Sequence, residues 1–350
     1  MKRKLSLVVG LVLAVATLII WNQKENTMAH ASDYVIDRNY YIVVYSQGAV
    51  FDVLINGITT HKETSPTPTN FTKPINHLMQ SDVNKITYNF SPIKGRDDAG
   101  EIITAAHDRF NIHISIESIN LETRARERIT LVDARYDMET GELISNEKTI
   151  FETEPVYQQA NMLTSGELKL KGRDVVVHGI ASPLPSQHLI AEFHTSDRFP
   201  RFHWLDEATV LEDTPELREG LRNAYRHIHD LMERGDFRGI RKLMDDRWRH
   251  TAIAMNLGLT ADDFIRHGEP HKDYVKKQPD GSILRPLHFD ERGTPLDQDH
   301  LQFMAEGRVV RLVPDPIIWQ PPDARTTTRT GFVFYVTEDL QWKVAAIVAD

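Results

Sequence analysis

No cysteine occurs among the 350 residues. That excludes disulfides, thiolate metal sites and a lipid-bearing cysteine, so any folded part must be held by its apolar core alone. The short signatures of the commonest enzyme classes are missing too. There is no G-x-S-x-G nucleophile elbow, no phosphate-cradling P-loop and no G-x-G-x-x-G turn. Solenoid and propeller periods are absent, as are long low-complexity tracts. Basic residues number 41 against 50 acidic ones, a net charge of −9. An acidic surface repels phosphate backbones and anionic headgroups, which argues against nucleic acid as a partner.

What is present begins with the N-terminus. Lys2, Arg3 and Lys4 precede an uncharged run from Leu5 to Trp21, 17 residues long. That length lies between a signal-peptide core and a minimal membrane helix of about 20 residues. Ala29 and Ala31 stand in the small-residue positions that signal peptidase requires. Residues 1–31 are therefore expected to direct export, either cleaved after Ala31 or kept as an inner-membrane anchor with the basic start inside. Without them the chain carries 37 basic and 49 acidic residues, four and one fewer than the whole. The expected location is the periplasm or cell envelope, with the membrane touched only through this segment.

From residue 33 to about 205 the text is that of β-structure. Phe110, Ile112, Ile114 and Ile116 alternate with Asn111, His113 and Ser115, the period-two pattern of a half-buried strand. Val50–Ile55 and Lys85–Phe90 alternate likewise, Tyr40–Ser46 is a continuous β-branched and aromatic run, and Arg128–Tyr136, Lys148–Glu154, Glu167–Gly172, Arg173–Ile180 and His188–Ser196 are further candidate strands. Asn56-Gly57 favours the positive φ angles of a tight hairpin. Pro66, Pro68 and Pro74 make residues 64–74 read as a loop. Many short strands with almost no helix predict an antiparallel sandwich.

The pattern then changes. Thr214-Pro215 has the form of a helix start, a capping hydroxyl followed by a residue whose missing N–H costs nothing there. Leu217, Leu221, Ala224, Tyr225, Ile228, Leu231 and Met232 form one apolar stripe, and Gly235-Asp236 ends that helix and caps the next. Phe237, Ile240, Leu243, Met244, Trp248 and Ala252 make a second stripe, and Thr260 opens a third, short helix. Strand text returns after Gly281 in "GRVVRLV", "TGFVFYV" and "QWKVAAIV", with "PDPIIWQPPDA" read as a loop. The expected fold class is two domains, an all-β antiparallel sandwich (33–205) followed by an α+β domain (210–350) of helices and then a curved antiparallel sheet.

"LRNAYRHIHDLMERGDFRGIRKLM" (Leu221–Met244) and "GFVFYVTEDLQWKVAAI" (Gly331–Ile347) together resemble the cone-shaped fold shared by ketosteroid isomerase, polyketide-cyclase-like proteins and nuclear transport factors. The resemblance implies a curved sheet wrapped around the first long helix, over at most about 140 residues. It leaves function open, because that fold hosts isomerases, dehydratases and non-enzymatic binding modules. In the isomerase-like enzymes a carboxylate base faces a phenol or acid inside the cavity. Tyr225 is the phenol that such a site would use, against the simpler reading of a core tyrosine; no base can be named.

Two polar clusters invite a metal reading. "DFIRHGEPHKDY" places His267, Glu269, His271 and Asp273 at alternate positions. Gly268 and Pro270 disfavour the regular helix that would put both histidines on one face, so a polar loop is the better reading. His288, Asp290, Asp297, Asp299 and His300 make an oxygen-rich group that departs from the calcium-loop pattern, as a solvated hairpin end would. His227 and His229 stand about 200° apart on a helix and cannot share an ion. Neither cofactor nor metal is expected. The preferred function is non-enzymatic binding of a protein partner or ligand in the envelope, for instance as an immunity or inhibitor protein. The alternatives are an enzyme acting on a small hydrophobic substrate in a C-terminal cavity, and a structural part of an envelope assembly.

Overall fold

The computed structural model describes residues 34–63, 65–99, 102–146, 150–160, 166–170, 173–177, 182–256, 260–287, 289, 300–313, 315–322 and 327–349. The expected export segment, residues 1–31, lies outside them. Thirteen strands come first: β1 (Arg38–Gln47), β2 (Ala49–Ile55), β3 (Ile58–Glu63), β4 (Thr69–Pro74), β5 (Asp82–Arg96), β6 (Ile102–Thr104), β7 (Asn111–Asn120), β8 (Arg126–Tyr136), β9 (Leu143–Ser145), β10 (Ile150–Ala160), β11 (Gly166–Leu170), β12 (Arg173–Val177) and β13 (Ser182–Thr195). Helices α1 (Pro215–Arg234), α2 (Phe237–Ala254) and α3 (Ala261–Gly268) follow. Last come β14 (Ile283–Leu284), β15 (His300–Met304), β16 (Val309–Val313), β17 (Ile317–Gln320), β18 (Thr328–Val336) and β19 (Trp342–Ala349). Every pairing among the described strands is antiparallel. No described helix is long and apolar enough to cross a membrane.

Alternation decides how the first sheets face. One runs β4-β1-β7-β8-β9 and the other β10-β13-β5-β2-β3. Ile42 and Val44 of β1 and Ile112, Ile114 and Ile116 of β7 share one buried cluster with Phe51 and Val53 of β2 and Ile86, Tyr88 and Phe90 of β5. Polar tips inside this layer are matched across it: Ser46 Oγ lies 2.7 Å from the Tyr88 hydroxyl, and Tyr136 donates to Gln187 Oε1 at 2.7 Å. The β2–β3 hairpin closes through Asn56 (φ 49°) and Gly57 (φ 79°), the two positive φ angles a two-residue turn needs.

Two expectations about loops are overturned. Within 64–74, Thr69–Pro74 is a strand, β4, paired with β1 at the sheet's edge. Its proline is the last residue of the strand, where a missing N–H does no damage. Within "PDPIIWQPPDA", Ile317–Gln320 forms β17 between β14 and β18. Pro316 and Pro321 flank this strand without entering it, and Trp319 is anchored by an Nε1–H bond to Thr330 Oγ1 at 2.9 Å.

The helix starts are as the residues require. Thr214 accepts from Leu217 N at 3.1 Å, Asp236 from Gly239 N at 3.0 Å, and Thr260 from Asp263 N at 3.1 Å. The stripe of α1 packs with Val310, Leu312, Phe332, Phe334 and Val344 of the last sheet in a second buried cluster. Arg249 and Arg241 both reach Asp245 and Asp262, which ties α2 to α3 on the exposed side.

Apolar packing does not stop between residues 205 and 210. Ala254, Met304, Val309, Val333, Tyr335, Ala345, Ala346 and Val348 belong to the same buried cluster as the first two sheets. A buried polar chain crosses the same junction. Gln302 Nε2 donates to Thr59 Oγ1 at 3.2 Å and approaches Asp52 Oδ2 at 3.5 Å. Its Oε1 accepts from Arg311 Nε at 2.7 Å, and Arg311 Nη1 reaches Asp315 Oδ2 at 3.1 Å. Arg311 and Asp315 are 0% and 2% exposed. A Cβ on Gly331 would stand 2.5 Å from Arg311 Nη1 and 2.8 Å from the Asp315 oxygens, so only glycine lets β18 pass this pair.

Neutralising one member of a buried pair leaves the other charge without compensation. Asp315→Asn is therefore expected to cost about 3–5 kcal/mol, whereas Glu269→Gln at the exposed Lys272 pair should leave stability nearly unchanged. Urea unfolding of both variants checks this; equal losses would contradict it.

Candidate functional site

Two places can be weighed as sites. The first is the interior between α1 and the last sheet, where the sequence singled out Tyr225. The ring is fully buried, edge-on to Phe334 at 5.0 Å between centroids. Its hydroxyl donates to Phe332 O at 2.7 Å and accepts from Leu312 N at 3.3 Å. Burial pushes the phenol's pKa well up, and the charge of Asp315 adds to the rise. A carboxylate thus does stand near Tyr225, yet it is held by Arg311, and the phenol's donor and acceptor are both engaged with backbone. Trp248, Phe332 and Phe334 fill the space beside them.

The other residues that the sequence marked do not converge. His227 is exposed and His229 buried, on opposite sides of α1 as their spacing demands; His229 Nε2–H donates to Arg285 O at 2.8 Å. α3 ends at Gly268, Glu269 takes a left-handed conformation, and Pro270–Asp273 forms a 3-10 turn. His267 is exposed, Glu269 pairs with Lys272, and the His271 ring meets Phe237 edge-on at 4.7 Å. His288, Asp290, Asp297 and Asp299 lie outside the described residues, and His300 is the first residue of β15. Among the described residues no three His, Asp or Glu side chains stand close enough to share a metal ion.

The second place is a cleft at the junction, and the sequence did not mark it. It is lined by His77, from the 3-10 turn Asn76–Leu78, by Phe202, His203 and Trp204, and by Arg247, His250 and Thr251 of α2, with Ile58, Leu78, Ala345 and Ala346 completing the walls. Its inner space is about 10 Å³, room for about one water. Arg247, His250 and Thr251 share a helix face because they sit three and four residues apart. His250 Nε2–H donates to His77 O at 3.1 Å, and His203 Nε2–H to Val344 O at 3.4 Å. His203 Nδ1 is buried without a partner among the described residues. Arg247 is half-buried, and partial burial lowers its pKa. Outside the cleft Lys343 Nζ holds Glu207 at 3.1 Å and Asp246 at 3.3 Å, so the nearby acids are already bound to a cation.

Burial dominates the titration of these rings. It lowers His77 to about 3 and His203 and His250 to about 4, with the Arg247 charge acting in the same direction. Asp246 opposes the shift at His203. Nothing marked these residues in the sequence beyond the i, i+3, i+4 spacing on α2. The remaining lining residues come from segments up to 173 positions away.

Because the folded rings stay neutral while the unfolded ones gain protons below about pH 6.5, the unfolded chain binds more protons through that window. Stability is complete above it and falls as the pH drops toward 4, where His203 and His250 charge in the folded state. His250→Gln keeps a donor for His77 O and removes one such proton. It should make the slope of unfolding free energy against pH shallower by up to about 1.4 kcal/mol per unit. Urea titrations across the window measure this, and an unchanged slope would contradict the assignment.

Comparison with protein-family models, with curated proteins and with solved structures finds no match for this chain.

Proposed function

We propose that this protein works by binding a protein partner in the cell envelope rather than by turning over a substrate. The observation that carries the reading is the state of Tyr225: fully buried, with its hydroxyl committed to two backbone groups and aromatic rings packed around it. A cone-shaped domain acting on a hydrophobic substrate needs an open apolar cavity at that place. Among the described residues, Trp248, Phe332 and Phe334 pack with Tyr225 in one buried apolar cluster there. We read the architecture as a β-sandwich joined to a smaller helix-and-sheet unit, the second retaining the element order of the cone-shaped proteins.

The remaining support comes from the sequence. The basic, apolar start of residues 1–31 is of the export type, and the rest of the chain carries 49 acidic against 37 basic residues. Such a surface favours encounter with a basic partner, as an inhibitor or immunity protein covering a basic active-site rim would require. Attraction of this kind weakens as salt screens it.

Affinity capture of the full chain from its host's envelope fraction, with mass spectrometry of bait and prey, tests the proposal. A stoichiometric partner of basic charge, released progressively by salt, is the expected outcome. A bait that returns no partner, together with turnover of a small hydrophobic substrate, would overturn it.

A further inference from the structure

The two most exposed large apolar side chains among the described residues stand at one end of the last sheet. Leu340 is 78% exposed and Val210 62%. The register Val310↔Phe334 sets the turn after β15 beside the turn after β18, and residues 208–211 run between them. Thr209 N donates to Val336 O at 3.0 Å and Leu211 N to Gly307 O at 2.9 Å, which holds Val210 at the rim of both turns.

Leu340 is held in a conformation that suits it badly. Its φ is 62°, in the left-handed region, and no other large apolar residue among those described has a positive φ. Glycine or asparagine ordinarily takes such a place, because a Cβ crowds the backbone there. The turn is nonetheless fixed. Leu340 N donates to Thr337 O at 2.9 Å, Gln341 N to Thr337 Oγ1 at 3.1 Å, and Gln341 Nε2 to Asp339 Oδ2 at 2.8 Å. A bulky apolar residue that strains the backbone and covers no core has its use outside the fold.

Acidic side chains surround the pair. Asp206, Glu207 and Asp213 have cations of their own in Arg201, Lys343 and Arg218. Glu212, Glu306, Glu338 and Asp339 are exposed and, among the described residues, pair with no base. Four uncompensated carboxylates about two apolar tips are the complement of an apolar pocket with a basic rim.

We propose that this end of the last sheet is the surface that engages the protein partner, Leu340 entering an apolar pocket of that partner and the four carboxylates meeting its basic rim. The inference rests on the partner-binding reading above and adds to it the place of contact. A turn already fixed loses little freedom on docking, which suits Leu340 to the role of anchor. A second copy of this chain would bring the same four acids to the contact and be repelled, as would an anionic membrane surface.

Four full-length proteins test this: the wild type, Leu340→Gly, Leu340→Asp and Met138→Asp, the last at an exposed apolar side chain between β8 and β9. Each is used to capture partners from the host's envelope fraction, and a photoreactive phenylalanine analogue in place of Leu340 fixes the point of contact. Crosslinks from position 340 should join a segment of the partner that carries Lys or Arg. Recovery of that partner should fall about tenfold or more in Leu340→Asp and stay at the wild-type level in Met138→Asp. Leu340→Gly should also bind weakly, yet unfold at a urea concentration equal to or above that of the wild type, because glycine relieves the left-handed strain. Equal recovery by the wild type and Leu340→Asp would overturn the surface and leave the partner-binding reading intact. No partner for the wild type would overturn both. A lower urea midpoint for Leu340→Gly would show that the leucine serves the fold, and so refute the proposal. A purified wild-type dimer in sedimentation that Leu340→Asp dissolves would refute it as well, since the occupant would then be a second copy.

Discussion

The fold depends on how the outer face and free edge of β2–β3 are covered. Those strands belong to the first pair of facing sheets, yet Asp52, Thr59, Thr60 and Lys62 on them are buried as deeply as core residues. The cover is the far end of the chain. Gln302 and Met304 of β15 reach Thr59, Arg311 and Asp315 extend the polar chain behind Gln302, and β19 passes alongside β3. A bare edge would present unpaired backbone groups and invite pairing with other chains. Covering it with polar side chains demands that each find its partner, because an orphaned buried charge costs far more than an apolar mismatch.

The same junction explains why the two buried clusters are arranged as they are. One is confined to the helices and the last sheet, and the other runs from the first sheets into Met304, Val333, Tyr335 and Ala346. β18 serves both, because alternate residues face opposite sides: Phe332 and Phe334 turn to α1, Val333 and Tyr335 to the cluster of the first sheets. α2 plays the same part among the helices, with Met244 and Trp248 in one cluster and Ala254 in the other. Between its two ends lie Arg247 and His250, where apolar packing gives way to the cleft. A polar pocket at a shared boundary is where two packing patterns fail to mesh completely, and the unpartnered His203 Nδ1 marks that mismatch.

Much of the local structure could be read from the residues. Period-two alternation marks β2, β5 and β7, a continuous β-branched and aromatic run marks β1, and Asn56-Gly57 marks the turn between β2 and β3. Thr214, Asp236 and Thr260 marked helix starts where their side chains do accept the expected N–H bonds. Proline misled twice. Pro74, Pro316 and Pro321 argue by residue type against strands, yet they stand at or just beyond strand ends. β15 was hidden because "DQDH" reads as a turn up to the residue where pairing begins. The candidate site was illegible for a different reason. His77, His203, Arg247 and His250 come from separate elements, and their meeting depends on tertiary packing that no local spacing encodes. The residues whose spacing suggests ligands, His267 and His271, are respectively exposed and edge-on to the Phe237 ring.

If the covered β2–β3 face is what holds the chain together, the sheets and the helix-containing region cannot unfold apart. Differential scanning calorimetry of the full chain near neutral pH tests this most directly. The account predicts a single endotherm whose calorimetric and van't Hoff enthalpies agree, the mark of one cooperative unit. Two resolved transitions, one for the first sheets and one for the helices with the last sheet, would contradict it.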